Sequence, residues 1–157
     1  MALAAASAGF LVWNWPPAKI FMGDVGSGFL GFVFGLFALS SYRERPSLLW
    51  VWLILLSVFV VDSTLTLIRR LLTGERWYEP HCTHAYQHAA RRHGLHSKVT
   101  LAVVAINAGW LFPLAWLASI RADRAPLIAV AAVVPLICAA FHYKAGQNTK
   151  ALQMAHV

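Results

Sequence analysis

Apolar positions in this chain fall in long unbroken runs rather than in stripes. The clearest extend from Gly26 to Tyr42, Leu48 to Ile68, Val99 to Ile120 and Ala125 to Tyr143. Each approaches the roughly 20 apolar residues that an α-helix needs to cross the hydrocarbon core of a bilayer. The runs are bounded by charge or proline, as expected where a helix meets water. They do not alternate polar and apolar with period two, which argues against a barrel, and in lipid only helices and closed barrels satisfy every backbone group. The stretch from Met1 to Trp13 is also apolar, but it is short for a crossing and lacks the positive flank of a signal peptide. It reads as the last part of a helix. The expected fold is therefore all-α: a multi-pass transmembrane bundle of about four to five spans, with one larger polar loop over residues 69–98. Gly28, Gly31 and Gly35 lie where a groove for close helix contact would form on the first long span.

Composition supports a membrane protein. Hydrophobic residues make up 59% and charged residues 12%, with mean hydropathy +0.61, whereas soluble domains are about half apolar and about a quarter charged. The 13 Lys and Arg outnumber the 6 Asp and Glu, yet they sit in short segments between apolar runs instead of forming a stripe. That excludes nucleic acid as the expected partner. If the spans alternate sides, Lys19, Arg69, Arg70, Arg76, Arg91, Arg92, Lys98, Lys144 and Lys150 share one face, and Arg43, Arg45, Arg121 and Arg124 share the other. The richer face is predicted to be cytoplasmic. Trp13, Trp15, Trp50 and Trp110 fit an interfacial belt. Cys82 and Cys138 lie in different settings and are not expected to pair.

Two polar segments interrupt this pattern, and the topology puts both on the cytoplasmic face. In Phe21-Met22-Gly23-Asp24-Val25-Gly26-Ser27 an acid stands in a glycine-serine turn against a membrane-length run. Pro16-Pro17 stiffens the approach, and Gly23 and Gly26 loosen the backbone around Asp24. Ser27 is placed to cap the next helix, whose N-terminus would seat phosphate oxygens while Asp24 offers a hard ligand to Mg²⁺. The plain alternative is that Asp24 and Ser27 only cap a transmembrane helix.

Residues 69–98 carry five of the seven histidines. His81, His84 and His88 are spaced to share one face of a helix opening near Thr83, together with Arg91 or Arg92. Such a face suits anionic oxygens. Zinc on His81, Cys82, His84 and His88 is the rival chemistry, but the spacing matches no closed zinc module. A basic loop resting on anionic headgroups is the plain alternative, and His93, His96, His142 and His156 are assigned to that background. Asp62 lies inside an apolar run, where a carboxylate is costly. Arg69 or Arg70, or a cap-like bond from Ser63 or Thr64, is expected to compensate it, against a direct catalytic role.

Taken together, FMGDVGSGFLG, then Asp62 followed by Leu-Thr-Leu-Ile-Arg-Arg, then HCTHAYQHAARRHGLHSKVT resemble the C-terminal half of the polyprenyl-phosphate sugar-1-phosphate transferases, glycosyltransferase family 4. The resemblance covers nearly the whole chain, 1–157. It implies a Mg²⁺-dependent enzyme in a bacterial inner membrane that moves a phospho-sugar from a UDP-activated N-acetylhexosamine to undecaprenyl phosphate, in O-antigen-like polysaccharide assembly. It implies Asp24 as metal ligand and catalytic residue and His84 as catalytic. His81, Gly26, Ser27, His88, Arg91 and Arg92 are then expected to hold substrate. The family's N-terminal half, with its aspartate-rich motif, has no counterpart here, so little catalysis is expected of this chain alone. A non-enzymatic membrane subunit that docks on lipid or a partner protein is the competing class.

Overall fold

The computed structural model describes residues 1–15, 17–74, 84–93, 96–143 and 145–146. Among them every regular element is helical: α1 (Ala2–Asn14), α2 (Gly23–Glu44), α3 (Leu48–Leu55), α4 (Ser57–Leu72), α5 (Ala85–His93), α6 (His96–Ile106), α7 (Phe112–Ile120) and α8 (Ala125–His142). A π-helical turn, Asn107–Leu111, joins α6 to α7, and a 3₁₀ turn, Ala122–Arg124, leads into α8. Among the described residues three stretches are long and apolar enough to span a membrane: α2, residues 97–120 and residues 122–142. The bent pair α3–α4 makes up to four. The multi-pass helical bundle is as the hydrophobic pattern predicted.

The breaks differ from expectation. The run expected as one helix from Leu48 to Ile68 is two helices meeting at 70°. No proline or glycine stands at the junction. Instead the buried Ser57 hydroxyl donates to the Ile54 carbonyl at 2.6 Å, a local bond of the kind that bends helices by competing with the main-chain ladder. In the third run Pro113 lacks an N–H and its ring would crowd the preceding turn. The π turn widens the helix immediately before it, with the Phe112 N–H reaching back to the Asn107 carbonyl.

The core is small and alanine-rich. Ile54, Leu111, Ala115, Ala118, Ala125, Ala129 and Ala132 pack α3, α7 and α8 together, and Val61, Ala140 and Ala145 form a second cluster where α4 meets the end of α8. Small residues let apolar helices approach closely, which substitutes for the hydrophobic drive that lipid removes. Trp110 is not part of an interfacial belt as expected; it lies mid-way along residues 97–120 and donates its indole N–H to the Ala132 carbonyl of α8 at 3.3 Å. At that depth the N–H needs a protein acceptor. Among the described residues no other element fills the expected glycine groove: none comes within 4 Å of where a Cβ would stand on Gly28, Gly31 or Gly35. α2 meets α3 through Phe34 and Phe37, whose rings lie 6.3 and 6.0 Å from that of Trp52, and through the Trp52 indole bonded to Ser41 at 3.0 Å.

Candidate functional site

The aspartate turn is built by the chain folding back on the end of α1. The Lys19 N–H donates to the Trp13 carbonyl at 2.9 Å, the Asn14 amide donates to the Ile20 carbonyl at 2.7 Å, and the Lys19 ammonium stands 5.3 Å from the centre of the Trp13 ring. Gly23 then opens α2 at φ +63°, a left-handed conformation that favours glycine. The helix begins earlier than expected, so Asp24 lies in its first turn and Ser27 inside it. Ser27 therefore does not cap α2; its hydroxyl donates back to the Asp24 carbonyl at 3.2 Å. Asp24 is exposed, and among the described residues its carboxylate has neither hydrogen-bond nor ion-pair partner. Gly26 lies against the Met22 side chain. A carboxylate left open at a helix N-terminus is suited to meet a cation that also binds phosphate.

The histidine segment forms α5, a short helix with Ala89 and Ala90 buried against the bundle and Arg91 and Arg92 exposed. His84 is its N-cap residue and offers no side-chain oxygen to the first turn. The Gln87 side chain accepts the His84 backbone N–H at 3.2 Å, which is one half of a capping box. The other half comes from α4. Asp62 accepts the Ala85 N–H at 2.7 Å through Oδ1 and the Tyr86 N–H at 3.4 Å through Oδ2. Its Oδ1 lies 3.7 Å from His84 Nδ1 and receives the Thr66 hydroxyl at 3.4 Å. Neither expected arginine compensates Asp62. Arg69 is engaged elsewhere, donating to the Ala145 carbonyl and covering the Phe141 ring at 4.4 Å.

Four of the predicted groups, His84, His88, Arg91 and Arg92, thus share one short helix. His84 and His88 are half-buried, with His88 Nε2 screened from solvent, while the arginines face outward. His81 and Cys82 lie outside the described residues, as does Pro16. Asp24, Gly26 and Ser27 belong to α2, which packs chiefly on α3. Among the described residues no three metal-ligating side chains converge.

Two features escaped the sequence reading. His142, assigned to background, has its Nε2 3.5 Å from Arg92 Nη1 and its ring edge-on to Tyr143. Beside α5 a cavity of about 400 Å³ opens between α4, α5, α6 and α8. Val61, Val103, Ile106 and Leu136 make its lining apolar, and Asp62 and Lys98 supply its charged groups. Its sequence cues were Asp62 inside one apolar run and Lys98 just before another.

Over part of its length the chain is similar to known proteins. The family model described as glycosyl transferase family 4 matches residues 1–42. A probable undecaprenyl-phosphate N-acetylglucosaminyl 1-phosphate transferase of Bacillus subtilis is 33% identical over 106 residues, covering 66% of this chain and 29% of that protein. Phospho-N-acetylmuramoyl-pentapeptide-transferases of Moorella thermoacetica and Mycolicibacterium smegmatis are 39% identical over 81 residues and 44% over 78 residues. Those matches cover 50% and 48% of this chain, and 24% and 20% of the relatives. The chain thus spans less than a third of the length of these curated relatives, and no solved structure matches it. On these matches the chain is a relative, over part of its length, of glycosyl transferase family 4.

Proposed function

We propose that this chain contributes the phosphate-facing part of a membrane enzyme that transfers an N-acetylhexosamine 1-phosphate from its UDP-activated form to undecaprenyl phosphate. Its working face would be the cytoplasmic face of a bacterial inner membrane, and its product would feed cell-surface polysaccharide of the O-antigen type. The observation that carries the reading is α5: two exposed guanidinium groups and the half-buried His84 beside an apolar cavity between the helices. That pairing suits a reaction between a water-soluble diphosphate and a lipid phosphate. The names of these relatives contain an N-acetylated amino sugar and a phospho-transfer, and that of the Bacillus subtilis protein contains undecaprenyl phosphate.

In the proposed step an oxygen of the lipid phosphate attacks the β-phosphorus of the nucleotide sugar. A new P–O bond forms there, and the bond from β-phosphorus to the bridging oxygen breaks. The electron pair leaves with that oxygen on UMP, and charge balances without a proton. Such transfers are accelerated by positioning and by cationic donors around the phosphoryl oxygens. Arg91 and Arg92 are exposed two-pronged donors, and His84 adds a ring nitrogen at the inner end of the helix. The Val61, Val103 and Leu136 side of the cavity would take the first isoprene units of the acceptor and exclude water.

Mg²⁺ fits the residues present as a partial shell: Asp24 gives one open carboxylate, and substrate oxygens and water would complete the rest. When bound, the ion screens the charge of the diphosphate. Titrating the purified full chain with UDP-N-acetylglucosamine tests the reading. Binding at or below about 1 mM is expected, tightened by Mg²⁺. Asp24→Asn should remove about tenfold or more of that Mg²⁺ effect while leaving the thermal midpoint unchanged, because the side chain is exposed. No binding by the wild-type chain, or an unchanged Mg²⁺ effect in Asp24→Asn, would overturn it.

A further inference from the structure

We propose that Asp62 is a positioning residue that sets the place and rotation of α5, and with them the direction in which His84, Arg91 and Arg92 meet a diphosphate. The inference rests on the reading of α5 as the phosphate-facing element.

A short helix is held at its N-terminus by whatever satisfies its first N–H groups. α5 begins at His84, whose side chain carries no oxygen, so its own sequence supplies only the Gln87 half of a capping box. The missing acceptor is Asp62, a residue of another helix that lies at the edge of the apolar core. Each of its oxygens meets a different N–H, Ala85 at 2.7 Å and Tyr86 at 3.4 Å, so the carboxylate fixes the twist of α5 as well as its location. Thr66, one turn further along α4, holds the carboxylate itself. The same Oδ1 faces His84 Nδ1 at 3.7 Å, which orients the ring so that Nε2 is its far nitrogen.

Two consequences follow for the chemistry. The N-terminus of α5 is already filled by a carboxylate, so an incoming phosphate is met by side chains of this helix and not by its backbone N–H groups. Because Asp62 lies on α4, a little over halfway along the bent span α3–α4, any shift of α4 is handed directly to the basic face. Asp62 thus offsets the cost of a carboxylate at that depth by a fixed set of donors.

The test is made on the full chain in lipid nanodiscs with two readouts: amide exchange by segment, and titration with UDP in the presence of Mg²⁺. Asp62→Ala is expected to speed exchange over residues 84–93 by about tenfold or more, leave α3 and α8 protected, and weaken UDP binding by about tenfold. Asp62→Asn keeps one acceptor oxygen and should recover part of both effects. Unchanged exchange over 84–93 in Asp62→Ala would overturn the proposal. So would faster exchange with UDP affinity intact, which marks a cap that only holds the helix down. Weaker UDP binding with exchange intact would make Asp62 a direct ligand contact instead, and also overturns it. Should Asp62→Ala loosen the whole bundle, Asp62→Asn and Thr66→Val decide by the same two readouts. If the wild-type chain binds no UDP, the transferase reading fails; local loss of protection in Asp62→Ala would then still support Asp62 as the residue that sets α5, and unchanged protection would still overturn it.

Discussion

Single residues carry more of this structure than their types announce. Gly146 has φ +76°, and a Cβ there would come within 2.9 Å of Arg69 Cβ and 3.1 Å of the Thr66 carbonyl. It lets residues 145–146, just past α8, press on α4 at Thr66 and Arg69, where Arg69 grips the Ala145 carbonyl. Gly146→Ala combines backbone strain with a clash against main chain and is expected to cost about 1–3 kcal/mol. The thermal midpoint of the purified protein checks this. Asp62 shows what a sequence can and cannot reveal at this scale. Its depth in an apolar run marked it as compensated, but its donors come from the backbone of a segment far along the chain, and main-chain N–H groups leave no trace in residue type. The expected Arg69 pairing is not made; the Ala145 carbonyl and the Phe141 ring engage the guanidinium instead.

Among the elements, helix existence was legible and helix continuity was not. The spans followed from run length, since lipid leaves little alternative to a helix. The α3–α4 bend depends on one serine hydroxyl choosing the Ile54 carbonyl, and serine in a membrane helix does not always bend it. The π turn had a cue in Pro113, as did its cross-brace in Trp110. Trp110→Phe keeps the ring and removes the bond to the Ala132 carbonyl, so a loss of about 1 kcal/mol is expected in denaturant titration. For α5 the prediction concerns charge. Arg91→Ala with Arg92→Ala should weaken UDP binding about tenfold or more and flatten its dependence on salt, both read by titration at several ionic strengths. The histidine spacing that predicted a shared face held for His84 and His88, whereas His81 lies outside the described residues.

At the scale of the whole molecule the chain is a set of apolar helices joined by short polar segments. Lys19, Arg69, Arg92 and Lys98 belong to the predicted cytoplasmic side, and Arg45 and Arg121 to the other. In a Cys82→Ser, Cys138→Ala background, single cysteines at Arg45 or Arg121 should react with an impermeant reagent applied to intact cells. Cysteines at Lys19 or Arg92 should react only after lysis, and the reverse pattern would invert the topology. What the sequence could not disclose is where its two polar segments lie relative to each other, because that depends on packing between helices whose outward faces are all alike to a hydropathy scale. The seam between α2 and α3 bears on this. It lies at Phe34, Phe37 and Ser41, toward the far end of α2 from Asp24. From Ser41 to Asp24 the rod is about 25 Å long, so α2 is a lever with its fulcrum at Trp52, and a tilt of about 10° there sweeps the acid through about 4 Å. A ring trimmed at that fulcrum would retune the reach of the carboxylate without touching it.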